Sequence, residues 1–390
     1  MNVPKLRFKE FNDEWSYQSL SKYVNRITTK NKNNESNLVL TISAQYGLVD
    51  QTNFFNRSVS SSNLTGYYLL NNGDFAYNKS YSNGYPWGAV KRLNKYNQGV
   101  VSSLYICFKP NDLINSDFLE QYFETNKWYQ QISEVSVEGA RNHGLLNIAV
   151  NDFFNTKHYI PSIKEQEKIS NFLSLLDKKI ELQSKKIEDL KLFKKGLINS
   201  IGKNIEIEKI PLKNILAEQN HKTIKNNEYE ILSSTSKGIY LQKDYFNKQA
   251  ASDNNVGYKI LKKNQLVLSP QNLWMGNINI NSKYNIGIVS PSYKIFDINN
   301  NIDIDFFDYW IKSPKALYEY KISSEQGASI VRRNLNMDLF YEIKVDIPKG
   351  KMQNKLGRII KLLNLKIQYN ENSLQKLQEL KKGLMQNMFV

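Results

Sequence analysis

The sequence predicts an α+β chain built as a pseudo-two-fold repeat, with two small mixed α/β units separated by two long antiparallel helices that form a coiled-coil spacer. Three observations predict it. A stretch running from Ile160-Pro161 to Lys194-Lys195-Gly196-Leu197-Ile198 recurs from Ile347-Pro348 to Lys381-Lys382-Gly383-Leu384-Met385, at a constant offset of 187 with no gap. Both copies place apolar residues at alternating steps of four and three, the spacing of a helix packed on another helix. The segments ahead of each copy repeat the same order of strand and turn signals, and a repeat of this kind outranks any local assignment.

The boundaries follow as a first unit over 1–157, a first long helix over 158–202, a second unit over 203–346 and a second helix over 347–390. The seam of the first helix is Leu173, Leu176, Ile180, Gln183, Ile187 and Leu190. That of the second is Ile360, Leu363, Ile367, Asn370, Leu374 and Leu377. One amphipathic helix would be an ordinary surface element. Two that match down to the polar break at Gln183 and Asn370 are natural partners, since neither can leave its stripe in water. In a fully overlapped antiparallel pair these two polar residues meet, a known means of fixing register. At about 1.5 Å rise per residue each copy forms a rod of roughly 57 Å.

Within the first unit, Leu38 to Ile42 reads as a strand entering the turn at Gln45-Tyr46-Gly47. Residues 67–77 read as a hairpin about Asn71-Asn72-Gly73-Asp74. Val100 to Phe108 reads as a further strand, and Ser116 as the cap of a helix through Phe123. The second unit repeats this order. Tyr229 to Leu232 precedes Lys237-Gly238, and 257–268 answers the earlier hairpin. Gly287 to Ser290 answers Gly99 to Ser102, Asp305-Phe306 answers Asp117-Phe118, and Gly327-Ala328 answers Gly139-Ala140. Asp303 and Asp305 read as a helix start. Framework positions agree while the polar loops differ, as expected of two readers with different targets.

With 390 residues there is length for two or more cores. The net charge of +16 favours a polyanionic partner. No apolar run is long enough to span a bilayer and the first residues lack a signal-peptide core, so a cytoplasmic protein with no membrane partner is expected. The single cysteine, Cys107, lies in an apolar strand pattern and reads as a buried thiol. His143, His158 and His221 offer no metal spacing. Gly202-Lys203 and Gly350-Lys351 lack the upstream glycine of a phosphate loop. Neither an Asn-Pro-Pro nor an Asp-Pro-Pro methyltransferase motif is present, so no catalytic residue, metal or bound cofactor is assigned.

The loops carry residues suited to DNA. In the first unit these are Lys79, Ser80, Tyr81, Asn83, Trp87, Lys91, Arg92, Arg141, Asn142 and His143. In the second they are Ser234, Thr235, Lys237, Gln271, Asn272, Trp274, Arg332, Arg333 and Asn334. Lysine and arginine bind phosphate, while Arg, Asn and Gln can also read base edges in the major groove.

On the opening Val3-Pro4-Lys5-Leu6-Arg7-Phe8 with Trp15, the junction from Ile160-Pro161 through Gln166 to Ile169, its counterpart at Ile347-Pro348, and the two Lys-Lys-Gly-Leu helix ends, the whole chain resembles the DNA specificity (S) subunit of type I restriction-modification systems. The second junction keeps Gln353 but lacks counterparts of Glu165 and Glu167. The resemblance implies two target-recognition domains, each reading one half of a split sequence in double-stranded DNA. It implies two methyltransferase (M) subunits that carry S-adenosylmethionine and methylate adenine, and two restriction (R) subunits that use ATP and Mg. This chain would choose the site and perform no chemistry. A coiled-coil adaptor whose globular units bind protein explains the helices but not the charge. An enzyme acting alone lacks a motif.

Overall fold

In the computed structural model the described residues are 2–55, 63–80, 82, 84–136, 146–201, 205–245, 254–326 and 333–390, with the backbone alone described at 199–201. The chain divides into two units, Met1–Lys185 with Asn372–Val390, and Lys186–Glu371.

Unit 1 contains β1 (Ser16–Ser19), β2 (Val24–Arg26), β3 (Leu40–Ser43), β4 (Gly47–Asp50), α1 (Gln51–Phe55), β5 (Tyr68–Asn71), β6 (Phe75–Asn78), β7 (Ala89–Arg92), β8 (Gln98–Val101) and β9 (Ile106–Pro110). After these come α2 (Ser116–Phe123), α3 (Tyr129–Val135), α4 (Val150–Asn155), β10 (Lys157–Ile160) and the start of α5 (Ile163–Ile201). A four-stranded sheet, β2-β9-β6-β7, is covered on both faces. Phe75, Tyr77, Ile106 and Phe108 join one large core with α2 and α4. The alternating residues Ala76 and Cys107 join a smaller core with Leu40, Leu48 and Leu70. Strand periodicity puts successive side chains on opposite faces, so two cores on one sheet make 75–77 of β6 and 106–108 of β9 unbroken buried runs. Cys107 is one of these residues, and burial pushes its thiol up to about 12.

Strands β5 and β6 form, but they are not a hairpin. β5 pairs with β8, and β6 pairs with β7 and β9. The turn between them is real, with Gly73 at φ 91° and the Asp74 carboxylate accepting from Asn71 N at 2.7 Å. It passes the chain from one sheet to the next. The expected strand from Val100 to Phe108 likewise divides into β8 and β9 at the Ser102–Tyr105 turn. The cap of α2 is Asn115, whose side chain accepts from Phe118 N at 2.9 Å; Ser116 is the first helical residue.

Unit 2 continues α5 and adds β11 (Ile207–Pro211), β12 (Leu216–Gln219), β13 (Leu232–Thr235), β14 (Gly238–Leu241), α6 (Gln242–Tyr245), β15 (Lys259–Lys262), β16 (Leu266–Leu268), β17 (Ile278–Ile280), β18 (Ile286–Val289) and β19 (Lys294–Ile298). It ends with α7 (Ile304–Trp310), α8 (Pro314–Ile322), β20 (Ser324–Gln326), β21 (Arg333–Leu335), α9 (Met337–Glu342), β22 (Lys344–Pro348) and the start of α10 (Met352–Met388). The sheet order β12-β19-β16-β17 reproduces that of unit 1. Here too β16 departs from the expected hairpin, pairing with β17 and β19 while β15 pairs with β18. Asp303 caps α7 by accepting from Phe306 N at 2.8 Å.

Two glycines show how closely the units correspond. A Cβ on Gly99 would lie 2.4 Å from Leu40 Cδ1, and one on Gly287 would lie 2.4 Å from Leu232 Cδ1. Each lets a short strand pass a leucine of the small core, which no larger residue allows. The Ile-Pro junctions also gain a physical reading. β10 pairs with β1 and β22 with β11, so each proline ends a strand that closes its unit before a long helix begins.

The residues of the expected seam are buried or half-buried on both helices. Leu173 and Ile187 on α5, and Ile360, Ile367 and Asn370 on α10, are buried; Leu176, Ile180, Gln183, Leu190, Leu363, Leu374 and Leu377 are half-buried. In unit 1, Ile169 and Leu173 share a core with Met385, Met388 and Phe389, and Lys381 pairs with Asp177. In unit 2, Lys191 pairs with Glu371 and Lys194 donates to Asn364. Within each unit, later positions of α5 meet earlier positions of α10, so the segments are antiparallel. No described helix is long and apolar enough to cross a membrane.

Candidate nucleic-acid interface

In unit 1 the sequence-selected loop after β6 meets the segment that leads into α4. Lys79 Nζ donates to Ile148 O at 3.1 Å, and Leu146 N donates to Lys79 O at 2.9 Å. Ser80 follows in the same loop, and Ser82 pairs with Tyr85 across it. Trp87 packs on the large core while its carbonyl accepts from Tyr77 OH at 2.8 Å. Tyr81, Asn83, Arg141, Asn142 and His143 lie outside the described residues, as does the Gly139-Ala140 pair.

Lys91 and Arg92 have protein partners. Lys91 is buried, with Nζ 2.5 Å from Glu124. Arg92 is 2.7 Å from Asp117 and 2.6 Å from Glu120, and it also donates to Ser116 Oγ and Asn94 Oδ1. Helix α2 presents Asp117 and Glu120 along one side and Glu124 at its C-cap, so these cations fasten β7 to α2. Their positive charge is matched inside the protein, a pairing invisible in a loop read without its neighbour.

A cleft of about 970 Å³ opens beside this pair in unit 1. Gln45 and Tyr46 from the β3–β4 turn, Lys95, Asn126 and Tyr129 line it together with Lys382 of α10. Tyr46 is 61% exposed. These residues were not selected in the sequence, although the equivalent hairpin of unit 2 supplied three candidates; carrying Lys237 across the repeat leads to Gln45.

In unit 2 the structure gathers the candidates into three neighbouring pieces. The β13–β14 hairpin carries Ser234, Thr235 and the exposed Lys237. The loop between β16 and β17 carries Gln271, Asn272 and Trp274, of which Gln271 is exposed. The β20–β21 hairpin carries Arg333 and the exposed Asn334, and Arg333 N donates to Gln271 O at 3.2 Å. Ser234 is itself buried and hydrogen-bonded to Asn277, so it supports the loops from beneath. The Arg333 guanidinium donates to Ser324 Oγ and to the Ser324 carbonyl. Arg332 and the Gly327-Ala328 pair lie outside the described residues. Among the described residues, no group of three or more His, Cys, Asp or Glu side chains is placed to hold a metal ion.

The arrangement is a pair of similar frameworks, each bringing polar and basic loops together. No family model matches the chain. Among solved structures, a type I restriction-modification S subunit from M. genitalium aligns over 100% of this chain and 99% of its own, at TM-score 0.58 and 18% identity. A chain from a structural study of complex assembly and conformational transition in the type I R-M system aligns over 95% and 96%, at TM-score 0.52 and 10% identity. An HsdS subunit from Thermoanaerobacter tengcongensis aligns over 97% of both chains at TM-score 0.46 and 12% identity. The first two establish that the fold is shared along essentially the full length.

Proposed function

We propose that this chain is the DNA specificity subunit of a type I restriction-modification complex, with one half of a bipartite target read by each unit. The observation that carries the proposal is the duplicated framework: matched strands, matched glycines and matched loop positions, on a fold shared with S subunits. The net charge of +16 supports a DNA partner, since phosphate neutralisation supplies most of non-specific affinity. In this reading 1–157 and 203–346 are the target-recognition domains, and the paired helices set the distance between half-sites. Adenine methylation and cleavage fall to two M and two R subunits, which carry S-adenosylmethionine, ATP and Mg.

The helices also offer a reason for two copies of a partner. Leu175, Leu182 and Phe193 on α5, and Leu362, Tyr369 and Leu380 on α10, are each 53–74% exposed. They correspond one to one at the repeat offset of 187, and Leu175, Leu182, Leu362 and Tyr369 lie one residue ahead of a seam position. A repeated exposed apolar stripe suits a repeated protein partner, here the M subunits.

The test is to coexpress the chain with M subunits and map methylated adenines genome-wide. A split motif supports the proposal. Replacing 1–157 with the equivalent unit of a relative should change one half only. Adding about one turn, ~5.4 Å, to both helices should change the spacer by about one or two base pairs. An assembled complex that binds DNA without salt dependence or sequence preference would leave the adaptor as the better reading.

A further inference from the structure

Beneath the loops of unit 2 lies a buried polar cluster with no like in the matching positions of unit 1. Ser234 Oγ donates to Asn277 Oδ1 at 2.8 Å. Asn279 Nδ2 donates to Ser234 Oγ and to Thr235 O, both at 2.8 Å, and Tyr293 OH reaches Ser234 O at 3.3 Å. Ser234 is 3% exposed and Asn279 is 2% exposed. Asn279 Oδ1 is buried with no hydrogen-bond partner among the described residues. The sheet register identifies the counterparts. Ile280 pairs with Leu266 as Arg92 pairs with Phe75, so Asn279 stands where unit 1 has Lys91. Leu232 stands where unit 1 has Leu40, so Ser234 answers Ile42.

A buried amide with one unmatched oxygen costs stability, and polar networks of this kind fix one arrangement of the groups they join. Here they join the β13–β14 hairpin to the loop before β17. Ser269 N donates to Asn277 O and Asn277 N to Asn272 O, so the loop is tied to the same strand end.

We infer that Asn279 is a positioning residue for target reading: it locks the turn that carries Lys237 to the loop that carries Gln271 and Trp274. The bases selected by unit 2 then depend on a side chain that touches no DNA. This rests on the proposed function for its consequence, though the locking itself does not.

The test uses the full chain assembled with M subunits, carrying Ser234→Ala or Asn279→Leu. Ser234→Ala removes bonds without adding volume and guards against a variant that fails to fold. By hydrogen exchange, amides in 235–241 and 271–277 should speed up together by tenfold or more in both variants, with the β15–β18 amides unchanged. Unchanged exchange, or a rise in only one segment, overturns the locking role. By methylation mapping, one half-site should relax at one or more bases while the other keeps its sequence. An unchanged motif, or equal loss of both halves, overturns the positioning role. A wild-type complex that methylates no split motif removes the specificity-subunit reading, and the exchange result still decides whether Asn279 couples the two segments.

Discussion

Lys381 Nζ lies 2.5 Å from Asp177 Oδ1 in unit 1, and its repeat counterpart Lys194 lies 2.6 Å from Asn364 Oδ1 in unit 2. The offset of 187 that relates the lysines also relates the aspartate to the asparagine. The same crossing is thus an ion pair in one unit and a neutral amide contact in the other. With Asp177 41% exposed at its side chain, the charge adds little. Asp177→Asn should cost about 0.5 kcal/mol by denaturant titration, with the loss shrinking at high salt. A salt-independent loss would show that packing, not charge, holds that crossing.

Arg7 forms a two-point pair with Glu165, Nε to Oε1 and Nη2 to Oε2 at 2.8 Å each, with side-chain exposures of 14% and 2%. The repeat has Met352 at the position of Glu165 and no described partner like Arg7. This explains the unequal junctions. Gln166 and Gln353 are retained because both accept from the backbone N–H of a helix cap, Asn115 and Asp303, whereas Glu165 answers Arg7, which has no counterpart among the described residues of unit 2. Glu165→Gln should destabilise unit 1 by about 1–2 kcal/mol, since it removes the charge from a part-buried two-point pair while Arg7 keeps the Asp13 carbonyl. An effect within experimental error would mean that Arg7 finds other partners.

Gly357 on α10 packs against the cap of α7, where a Cβ would lie 1.9 Å from Asp303 Oδ1. Gly357→Ala should therefore cost about 1–3 kcal/mol despite the better helix propensity of alanine. Asp303→Ala alone should cost about 1 kcal/mol through the lost cap. The double variant should lose less than the sum of the two; strict additivity in a double-mutant cycle would rule out the proposed clash.

His158 is buried between Tyr122 OH on Nδ1 and Thr156 Oγ1 on Nε2, each at 2.8 Å. Thr156 Oγ1 donates to Phe153 O, so it accepts from Nε2–H, and Nδ1 of the neutral ring accepts from Tyr122 OH. Burial pushes the imidazole down to about 3 from its ordinary 6.5. Between these values the unfolded chain binds the proton and the folded one does not, so this group's contribution to stability is level well above pH 6.5 and falls as the pH drops through it. Acidification from pH 6.5 to 5 should cost about 2 kcal/mol from this group. The slope should be shallower by that amount in His158→Gln, measured by denaturation at each pH; identical slopes would place the protonation elsewhere.

Repetition, period and charge are properties of the chain itself, and they were legible without coordinates. The seam residues from Leu173 to Leu190 and from Ile360 to Leu377 follow from heptad spacing. Cys107 as a buried strand thiol follows from its apolar neighbours, and the caps at Asp303 and near Ser116 follow from local chemistry. Strand pairing does not follow, because it joins segments far apart. The Asn71 to Asp74 turn looks like a hairpin locally, yet β5 and β6 enter different sheets, since Phe75 and Tyr77 need one core and Leu70 the other. The candidate site divides in the same way. The loops that carry Lys79 and Gln271 are candidates chosen from composition, but whether a cation is free depends on the surface it folds against. Only the tertiary structure sets Glu124 beside Lys91, Asp117 and Glu120 beside Arg92, and Asn279 beneath the loops of unit 2.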